Sequence, residues 1–213
     1  MKTLNIDSFQ LTKGTTPLLV SVPHAGTQIP ADLREAFTDK ALEVEDTDWH
    51  LEKLYAFAKD LGASMIEPHY SRYCIDLNRP PDNQPMYPGA NNTELCPTRA
   101  FTGEPIYRHA PPDAAEIARR VSLYWQPYHT ALAAELTRIK SIHGYALLWD
   151  GHSIKSELPW LFEGRLPDLN MGTANGTACD AGLQAKLEAT LQTEPHKSNF
   201  SHVFNGRFKG GYI

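Results

Sequence analysis

Short apolar runs of strand length recur along the chain, separated by longer segments with helical spacing. The strand-like runs cover residues 17–22 (PLLVSV), 64–67, 70–77, 145–149 and 203–209. Pro23 and a turn at Gly26 close the first run, and the sequence DGHS follows the fourth. Strands that alternate with helices in this way predict an α/β fold, which usually binds its ligands where the strands end.

Three segments carry apolar residues at helical spacing. Residues 51–61 predict an amphipathic helix that stops at Gly62. A long helix is predicted over 117–139, opened by Pro112 and Asp113, ended near Gly144 and kinked at Pro127. A short helix is predicted over 181–191. The segments 80–112 and 159–179 are rich in turn residues and predict long loops, which often carry function.

Composition limits the classes of function. A chain of 213 residues with 41% hydrophobic content can bury one substantial core, which predicts a single domain. The net charge of −5, without a Lys/Arg-rich run, argues against nucleic acid as a partner. The sequence shows neither a signal peptide nor an apolar run of about 18 residues, which predicts a cytoplasmic protein without a membrane partner. The three cysteines have no C-x-x-C spacing, so any metal must be held by nitrogen and oxygen.

Two histidines follow predicted strands in matching contexts. His24 lies in PHAG and His152 in DGHS, and each has a glycine beside it that would let the backbone turn tightly. On neighbouring strands these two imidazoles could share one zinc ion. Catalytic zinc commonly takes a third protein ligand, and Asp48 is the candidate, with Asp46 as the alternative. Asp48 could equally be an N-cap of the helix that follows it.

Charged residues also surround the predicted strand 70–77. Arg72, Asp76, Asn78 and Arg79 occur in the sequence SRYCIDLNR. They could form an internal Arg–Asp ion pair, or they could bind a substrate carboxylate, because a guanidinium grips a carboxylate with two parallel hydrogen bonds. Near the C-terminus, Arg207 and Lys209 should project from one side of the last predicted strand, either as a solvated charged face or as a substrate contact.

These motifs, in this order, resemble the N-formylglutamate amidohydrolase family of bacterial histidine degradation. The resemblance runs through VSVPHAG, DTDWHLEKLY, RYCIDLNRPP, YPG, PYH, LWDGHSIKS, LPDLNMGT and NGRFKGGYI. More distantly, the family is similar to the zinc carboxypeptidase and aspartoacylase group. The resemblance implies a mixed, mostly parallel sheet flanked by helices, as in the zinc-carboxypeptidase and phosphorylase/hydrolase-like folds.

The resemblance also implies roles for individual residues. His24 and His152 match the two histidine ligands of a catalytic zinc ion. Asn78 and Arg79 match the pair that holds the substrate carboxylate, and Arg72 resembles the arginine that polarises the scissile carbonyl. The distant relatives have a glutamate ligand three residues after the first histidine. That position is Thr27 here, so Asp48 is expected to replace it.

The implied activity is metal-dependent hydrolysis of N-formyl-L-glutamate to formate and L-glutamate. Arg207 or Lys209 would hold the second carboxylate of this small-molecule substrate. Family members continue beyond the GGYI segment, so residues 1–213 are expected to be one amidohydrolase domain without its C-terminal segment, where the general base would lie. The alternatives are another zinc-dependent N-acyl amino acid deacylase, a non-catalytic carboxylate-binding remnant, or a metal-free hydrolase that uses Ser153 or Cys74.

Overall fold

A four-stranded sheet organises the first part of the chain in the computed structural model, which describes residues 7–85, 92–192 and 200–213. Its strands are β1 (Phe9–Thr12), β2 (Leu18–Ser21), β3 (Ser64–Pro68) and β4 (Leu147–Asp150), in the spatial order β1-β3-β2-β4. Strand β2 runs parallel to both β3 and β4, whereas β1 runs antiparallel to β3. The prediction of a mixed, mostly parallel sheet is therefore confirmed.

The helices of this part include the long predicted helix, which has an irregularity. They are α1 (Ala31–Arg34), α2 (Leu51–Leu54), α3 (Ala56–Asp60), α4 (Ala114–Arg120) and α5 (Gln126–His143), with a 3₁₀ turn at Ala41–Glu43. The Asp113 side chain caps α4, and Gly144 ends α5 in the left-handed conformation. A π-helical turn, Val121–Trp125, joins α4 to α5. It lies just before Pro127, which has no N–H to donate to that turn.

The helix predicted over 51–61 is instead two short helices, α2 and α3. They are separated at Tyr55, whose φ of −97° and ψ of 10° are not helical. Leu54 and Leu61, which the predicted pattern places on the buried face, are exposed. The predicted stop at Gly62 is confirmed, and this residue has a φ of 72°.

A small apolar core packs α2 and α3 against β2 and β3. It includes Val20 and Val22 from the sheet side together with Leu51, Ala58 and Met65, all almost fully buried. Burial of one such large side chain stabilises a fold by about 1.5–3 kcal/mol. The packing fixes the C-terminal end of β2, and His24 follows two residues after Val22.

Strand β4 differs from its prediction as a buried strand. Leu147, Leu148 and Trp149 are 37–39% exposed. The apolar run was correctly identified as a strand, but β4 lies at the edge of the described sheet and pairs only with β2. An apolar run does not distinguish an edge strand from a central one.

The remainder of the chain, Lys155–Ile213, clusters as a second compact unit, separate from Met1–Ile154. It contains β5 (Leu169–Met171), the 3₁₀ turn Ala174–Gly176, α6 (Ala181–Gln192) and β6 (His202–Phe204), with β5 parallel to β6. Helix α6 agrees with the prediction over 181–191. Strand β5 falls in the segment 159–179, which was predicted as a loop, because three residues are too short to show a strand pattern. The single domain over 1–213 stays a prediction.

Two predicted segments and the expectation about membrane helices remain. The last predicted strand, 203–209, is wrong beyond Phe204, where β6 ends and Asn205 adopts a φ of 51°. The long segment 80–112 contains no helix or strand in its described residues, and its YPG motif lies outside them. Within residues 7–85, 92–192 and 200–213, no helix is long and apolar enough to cross a membrane.

Candidate metal centre

His24 lies just beyond the C-terminal end of β2, in a buried position. Its Nε2 atom is 2.7 Å from Oδ1 of Asp76, and its Nδ1 atom is 3.8 Å from Oδ2 of Asp48. Arg72 approaches the same Nδ1 atom, with Nη1 at 3.3 Å. An imidazole that donates from Nε2 to Asp76 keeps the Nδ1 lone pair for another partner.

His152 follows β4 and repeats this arrangement. Its Nδ1 atom is 3.0 Å from Oδ2 of Asp48, and its Nε2 atom is 2.8 Å from Oδ2 of Asp150. The two imidazole rings are 4.7 Å apart. The parallel pairing of β2 with β4 places both strand ends at the same edge of the sheet, as the sequence predicts for neighbouring strands. Both histidines therefore present Nδ1 to Asp48 and Nε2 to a second carboxylate.

Asp48 does not cap the helix that follows it. The residue before α2 is His50, in a left-handed conformation, and it makes no side-chain cap hydrogen bond. The Asp48 carboxylate instead accepts from the backbone N–H of Ser153 at 3.1 Å. Asp46 accepts from the N–H of Phe101 at 2.7 Å. Among the described residues, the group with metal-ligand geometry is His24, Asp48 and His152, whose ligand atoms lie within 4.8 Å of one another.

The surrounding charges shift the pKa values of these groups. Burial and the Arg72 guanidinium lower the pKa of His24. Burial alone would raise the pKa of Asp76, but the positive charge of Arg72 holds it well below its usual range. Desolvation alone would lower the pKa of His152, but the carboxylates of Asp150 and Asp48 raise it to about 10. The two carboxylates thus favour a positive charge beside His152, either the imidazolium proton or a metal ion.

Residues 71–79 form a buried loop, and the strand predicted over 70–77 is wrong. The loop begins with turns stabilised by Ser71, whose backbone oxygen accepts from the N–H of Cys74 at 2.9 Å and whose Oγ accepts from the N–H of Tyr73. Charged residues so close together in a buried segment need partners, and a turn lets them find one another. Arg72 and Asp76 make the predicted internal ion pair, with Nη2 2.6 Å from Oδ2.

The two residues that match a carboxylate-binding pair have different surroundings. The Asn78 side-chain nitrogen lies 3.0 Å from Nε2 of His152 and 3.3 Å from Oδ2 of Asp150. Asn78 is therefore at the candidate metal centre. The Arg79 guanidinium donates to the backbone and side-chain oxygens of Thr93 and to the backbone oxygen of Asn78. Arg72 and Asn78 are brought together with the histidine pair. Arg79 reaches the same group through Asp76, with Nη1 3.7 Å from Oδ2, while its other bonds anchor the adjoining loop.

Asp76 and Asp150 have positions at the centre that the sequence analysis did not assign to them. Both lie within hydrogen-bond distance of a ligand-type histidine. Asp150 also accepts from Oγ of Ser21 at 2.9 Å, and that Oγ is 3.1 Å from the buried Tyr128 hydroxyl. The sequence could have indicated Asp150, because it lies only two residues before His152, close enough for the two side chains to meet. The contact from Asp76 to His24 spans 52 residues and required the fold.

The glycines beside the two histidines permit close packing, and neither has a positive φ. A Cβ at Gly26 would lie 2.2 Å from the backbone oxygen of Tyr70. A Cβ at Gly151 would lie 2.6 Å from the Tyr55 ring. The chain does turn at His24, where the N–H of Ala25 donates to Val22 O at 3.1 Å, but this turn does not need a left-handed glycine. Each glycine instead allows another segment to approach the backbone beside a histidine.

Arg207 and Lys209 belong to the second unit. They lie beyond the end of β6, and not on one side of a strand as predicted, because the strand stops at Phe204. Nη2 of Arg207 donates to the backbone oxygen of Leu161 at 2.7 Å, and its guanidinium covers the ring of Phe162. The Lys209 backbone oxygen accepts from the N–H of Ala174 at 2.6 Å.

Comparison with known proteins identifies the family. The pattern of N-formylglutamate amidohydrolases matches residues 16–213. A protein of Pseudomonas aeruginosa named N-formylglutamate deformylase is 49% identical over 202 residues, which cover 94% of this chain and 74% of that protein. A protein of Pseudomonas putida with the same name is 47% identical over the same shares.

Solved structures agree with this result. The crystal structure of an N-formylglutamate amidohydrolase from Ralstonia eutropha superposes with a TM-score of 0.78 at 26% identity, over 96% of this chain and 78% of that one. A gene product of Agrobacterium tumefaciens, 16% identical, shares the fold with a TM-score of 0.71 over 96% of this chain and 75% of that one. The chain therefore belongs to the N-formylglutamate amidohydrolase family.

Proposed function

We propose that this chain hydrolyses N-formyl-L-glutamate to formate and L-glutamate, with a divalent metal ion, Zn²⁺, held by His24, Asp48 and His152. The observation that carries the proposal is the convergence of these three ligand atoms within 4.8 Å, in a chain of this family. The pathway implied by the resemblance, histidine degradation, and a cytoplasmic location stay predictions.

The donor set fits zinc. Zinc in enzymes commonly takes imidazole nitrogen and carboxylate oxygen from three protein ligands and keeps a further position for water. Ligand histidines almost always donate their other ring N–H to a carboxylate or carbonyl, which fixes the ring. Asp76 and Asp150 stand in that relation to His24 and His152. Asp46, the alternative ligand, is engaged with Phe101 and does not belong to the group.

Amide hydrolysis needs a strong nucleophile and stabilisation of the oxyanion. A bound zinc ion lowers the pKa of its water to about 7 and polarises a carbonyl. Arg72 would add a fixed positive charge, because its guanidinium is buried, paired with Asp76 and 3.3 Å from Nδ1 of His24. Removal of one such donor costs on the order of 100-fold or more in rate.

Substrate binding would use the remaining cationic and amide groups. N-formylglutamate carries two carboxylates, and a guanidinium or amide donor suits each. We assign the first to Asn78 with Arg79, because Asn78 lies beside His152. The second is assigned to Arg207 or Lys209.

This role predicts that Arg207→Ala raises KM for N-formylglutamate but not for N-formylglutamine, which lacks the side-chain charge. Arg165→Ala is the control in the same unit.

The proposal is tested by formate release from zinc-loaded protein. N-formyl-L-glutamate should be turned over faster than N-acetyl- or N-succinyl-L-glutamate and N-formyl-L-aspartate. A preference for another acyl group or another amino acid would replace the assignment with a different N-acyl amino acid deacylase. Binding of zinc and glutamate without any formate release would identify a carboxylate-binding remnant. Full activity after exhaustive chelation would overturn the metal-dependent mechanism.

A further inference from the structure

Residues 71–79, hereafter the site loop, are buried although they form neither helix nor strand. The site loop carries Arg72, Asp76 and Asn78, and its residues through Asn78 are almost fully buried. A buried segment without regular structure leaves carbonyl oxygens that need donors, because an unpaired buried backbone group is costly. Asn78 O is satisfied locally by the Arg79 side chain.

Three other carbonyl oxygens of the site loop accept hydrogen bonds from one continuous helical segment. Nη1 of Arg120 lies 3.0 Å from Cys74 O, and Nε2 of His129 lies 2.9 Å from Leu77 O. The indole N–H of Trp125 donates to Arg79 O at 2.9 Å. The contacts thus alternate with Arg72, Asp76 and Asn78 along the site loop.

The π-helical turn Val121–Trp125 brings these donors to one face. In a regular α-helix, at about 100° per residue, Arg120 and Trp125 would point about 140° apart. A π turn closes i→i+5 hydrogen bonds and so brings residues five apart closer to alignment. Trp125 and His129 are four apart and stack with their ring centroids 3.9 Å apart. Such π turns are frequent at functional sites.

The donors are themselves held in place. Arg120 is buried, pairs with Glu116 at 2.7 Å and donates to the Tyr107 hydroxyl at 2.8 Å. Burial also lowers the pKa of His129, so its ring is neutral at pH 7. A neutral ring that carries its proton on Nε2 donates to Leu77 O. The helical segment is therefore a preorganised donor surface for the site loop.

We propose that Arg120, Trp125 and His129 are positioning residues that hold the site loop in the conformation that presents Arg72, Asp76 and Asn78 to His24 and His152. This inference rests on the proposed function for its kinetic consequences. The three contacts support different residues. Trp125 and His129 bind the carbonyl oxygens of Arg79 and Leu77, on either side of the substrate-binding residue Asn78. Arg120 instead holds the carbonyl between Arg72, which stabilises the oxyanion, and Asp76, which orients His24.

Trp125→Phe tests the end of the site loop that carries the substrate-binding residue Asn78. The variant keeps one aromatic ring for stacking but removes the N–H together with part of the indole bicycle, so the control must remove the same atoms. Loss of one such hydrogen bond should raise KM about three- to tenfold, with kcat within twofold of the wild type. Amide hydrogen exchange in a peptide covering 71–79 should become faster, whereas β2 and β3 should be unchanged. The matched control is Trp149→Phe, which also removes an indole N–H bond of 2.9 Å, to the Tyr55 hydroxyl.

Arg120→Lys tests the part of the site loop between Arg72 and Asp76, whose Cys74 carbonyl accepts from Arg120. Lysine retains the charge but cannot reach three acceptors at once, so kcat should fall more than KM rises, and zinc affinity should weaken. If thermal melting shows that this variant does not fold, Tyr107→Phe loosens Arg120 by removing one acceptor and should shift kcat in the same direction.

The outcomes separate this inference from the proposed function. Unchanged KM and unchanged exchange in Trp125→Phe would overturn the positioning role. Faster exchange with wild-type KM would also overturn it, because the contact would then be structural only. If the wild type releases no formate from N-formylglutamate, the proposed function fails, and hydrogen exchange with zinc affinity still decides whether the helix holds the site loop.

Discussion

Nδ1 of His152 lies 3.0 Å from Oδ2 of Asp48, although 104 residues separate them in the chain. The same carboxylate oxygen is 3.8 Å from Nδ1 of His24. Asp48 therefore lies between two imidazoles, each of which has another carboxylate within hydrogen-bond distance of its opposite ring nitrogen.

Asp48→Asn should abolish tight zinc binding. The substitution keeps the shape of the side chain but replaces the anionic ligand with a neutral amide, which is a poor zinc ligand. We expect the zinc content of the purified variant, measured by mass spectrometry, to fall below half of the wild-type value, with formate release reduced at least about 100-fold. Asp46→Asn should keep its zinc. The opposite pattern between these two variants would make Asp46 the ligand.

Asp150→Asn should weaken zinc binding without abolishing it. Its carboxylate fixes the His152 ring through the 2.8 Å contact to Nε2, and loss of such a partner typically costs 10- to 100-fold in metal affinity. Competition with a fluorescent chelator measures this change. Asp168→Asn, an exposed residue that contacts Ser201 in the second unit, should leave the affinity unchanged. Wild-type affinity in Asp150→Asn would remove this residue from the centre.

Glu116 should contribute a pH-dependent part of the stability. Hydrogen bonds from Arg119 and Arg120 lower its pKa to about 2, from an ordinary value of 4.5. A lowered folded-state pKa stabilises the protein above the unfolded value, and this contribution is lost as the pH falls through the folded one. The free energy of unfolding should therefore be roughly 1–2 kcal/mol lower in Glu116→Gln than in the wild type at pH 7, after allowance for solvent screening.

The difference between these two proteins should shrink as the pH falls from 4.5 toward 2, which denaturant titrations at several pH values would measure. Glu43→Gln is the control, because its ion pair with Lys40 is exposed and screened by solvent and should contribute little to the free energy of unfolding at any of these pH values. A constant difference between Glu116→Gln and the wild type across this range would contradict the assignment.

Gly151→Ala should destabilise the fold beside the candidate metal centre. The new Cβ would lie 2.6 Å from the Tyr55 ring, so the ring must move and strain its hydrogen bond with Trp149. Overpacking of this kind costs about 1–3 kcal/mol in the free energy of unfolding. Gly182→Ala in α6 meets only the Asp180 side chain, at 3.1 Å, and should cause no loss. Equal stability of Gly151→Ala and the wild type would show that the ring is not packed there.

The sequence predicted the elements whose pattern is local. The apolar run before His24 and the periodicity of α5 were sufficient, because each reflects burial of one strand or one helix face. The helix over 51–61 is present but divided at Tyr55, whose ring lies against Gly151, and spacing shows neither the division nor this contact. The strand over 70–77 was wrong because turns pair Arg72 with Asp76, and an apolar run with embedded charges fits either structure.

The histidine pair of the site was also predictable, because both histidines follow strands and the two strands are neighbours. Asp48 could not be decided from its position, since a helix cap and a metal ligand would occupy the same place in the chain. The roles of Asp76 and Trp125 depend on contacts across 52 and 46 residues. Such long-range partners follow from the tertiary fold and leave no periodic signal in the sequence.

Anomalous diffraction at the zinc absorption edge, from crystals of the zinc-loaded protein, tests the central claim most directly. The account predicts a single strong peak about 2.0–2.2 Å from Nδ1 of His24, Nδ1 of His152 and a carboxylate oxygen of Asp48. A zinc peak coordinated without His24 or His152 would contradict it.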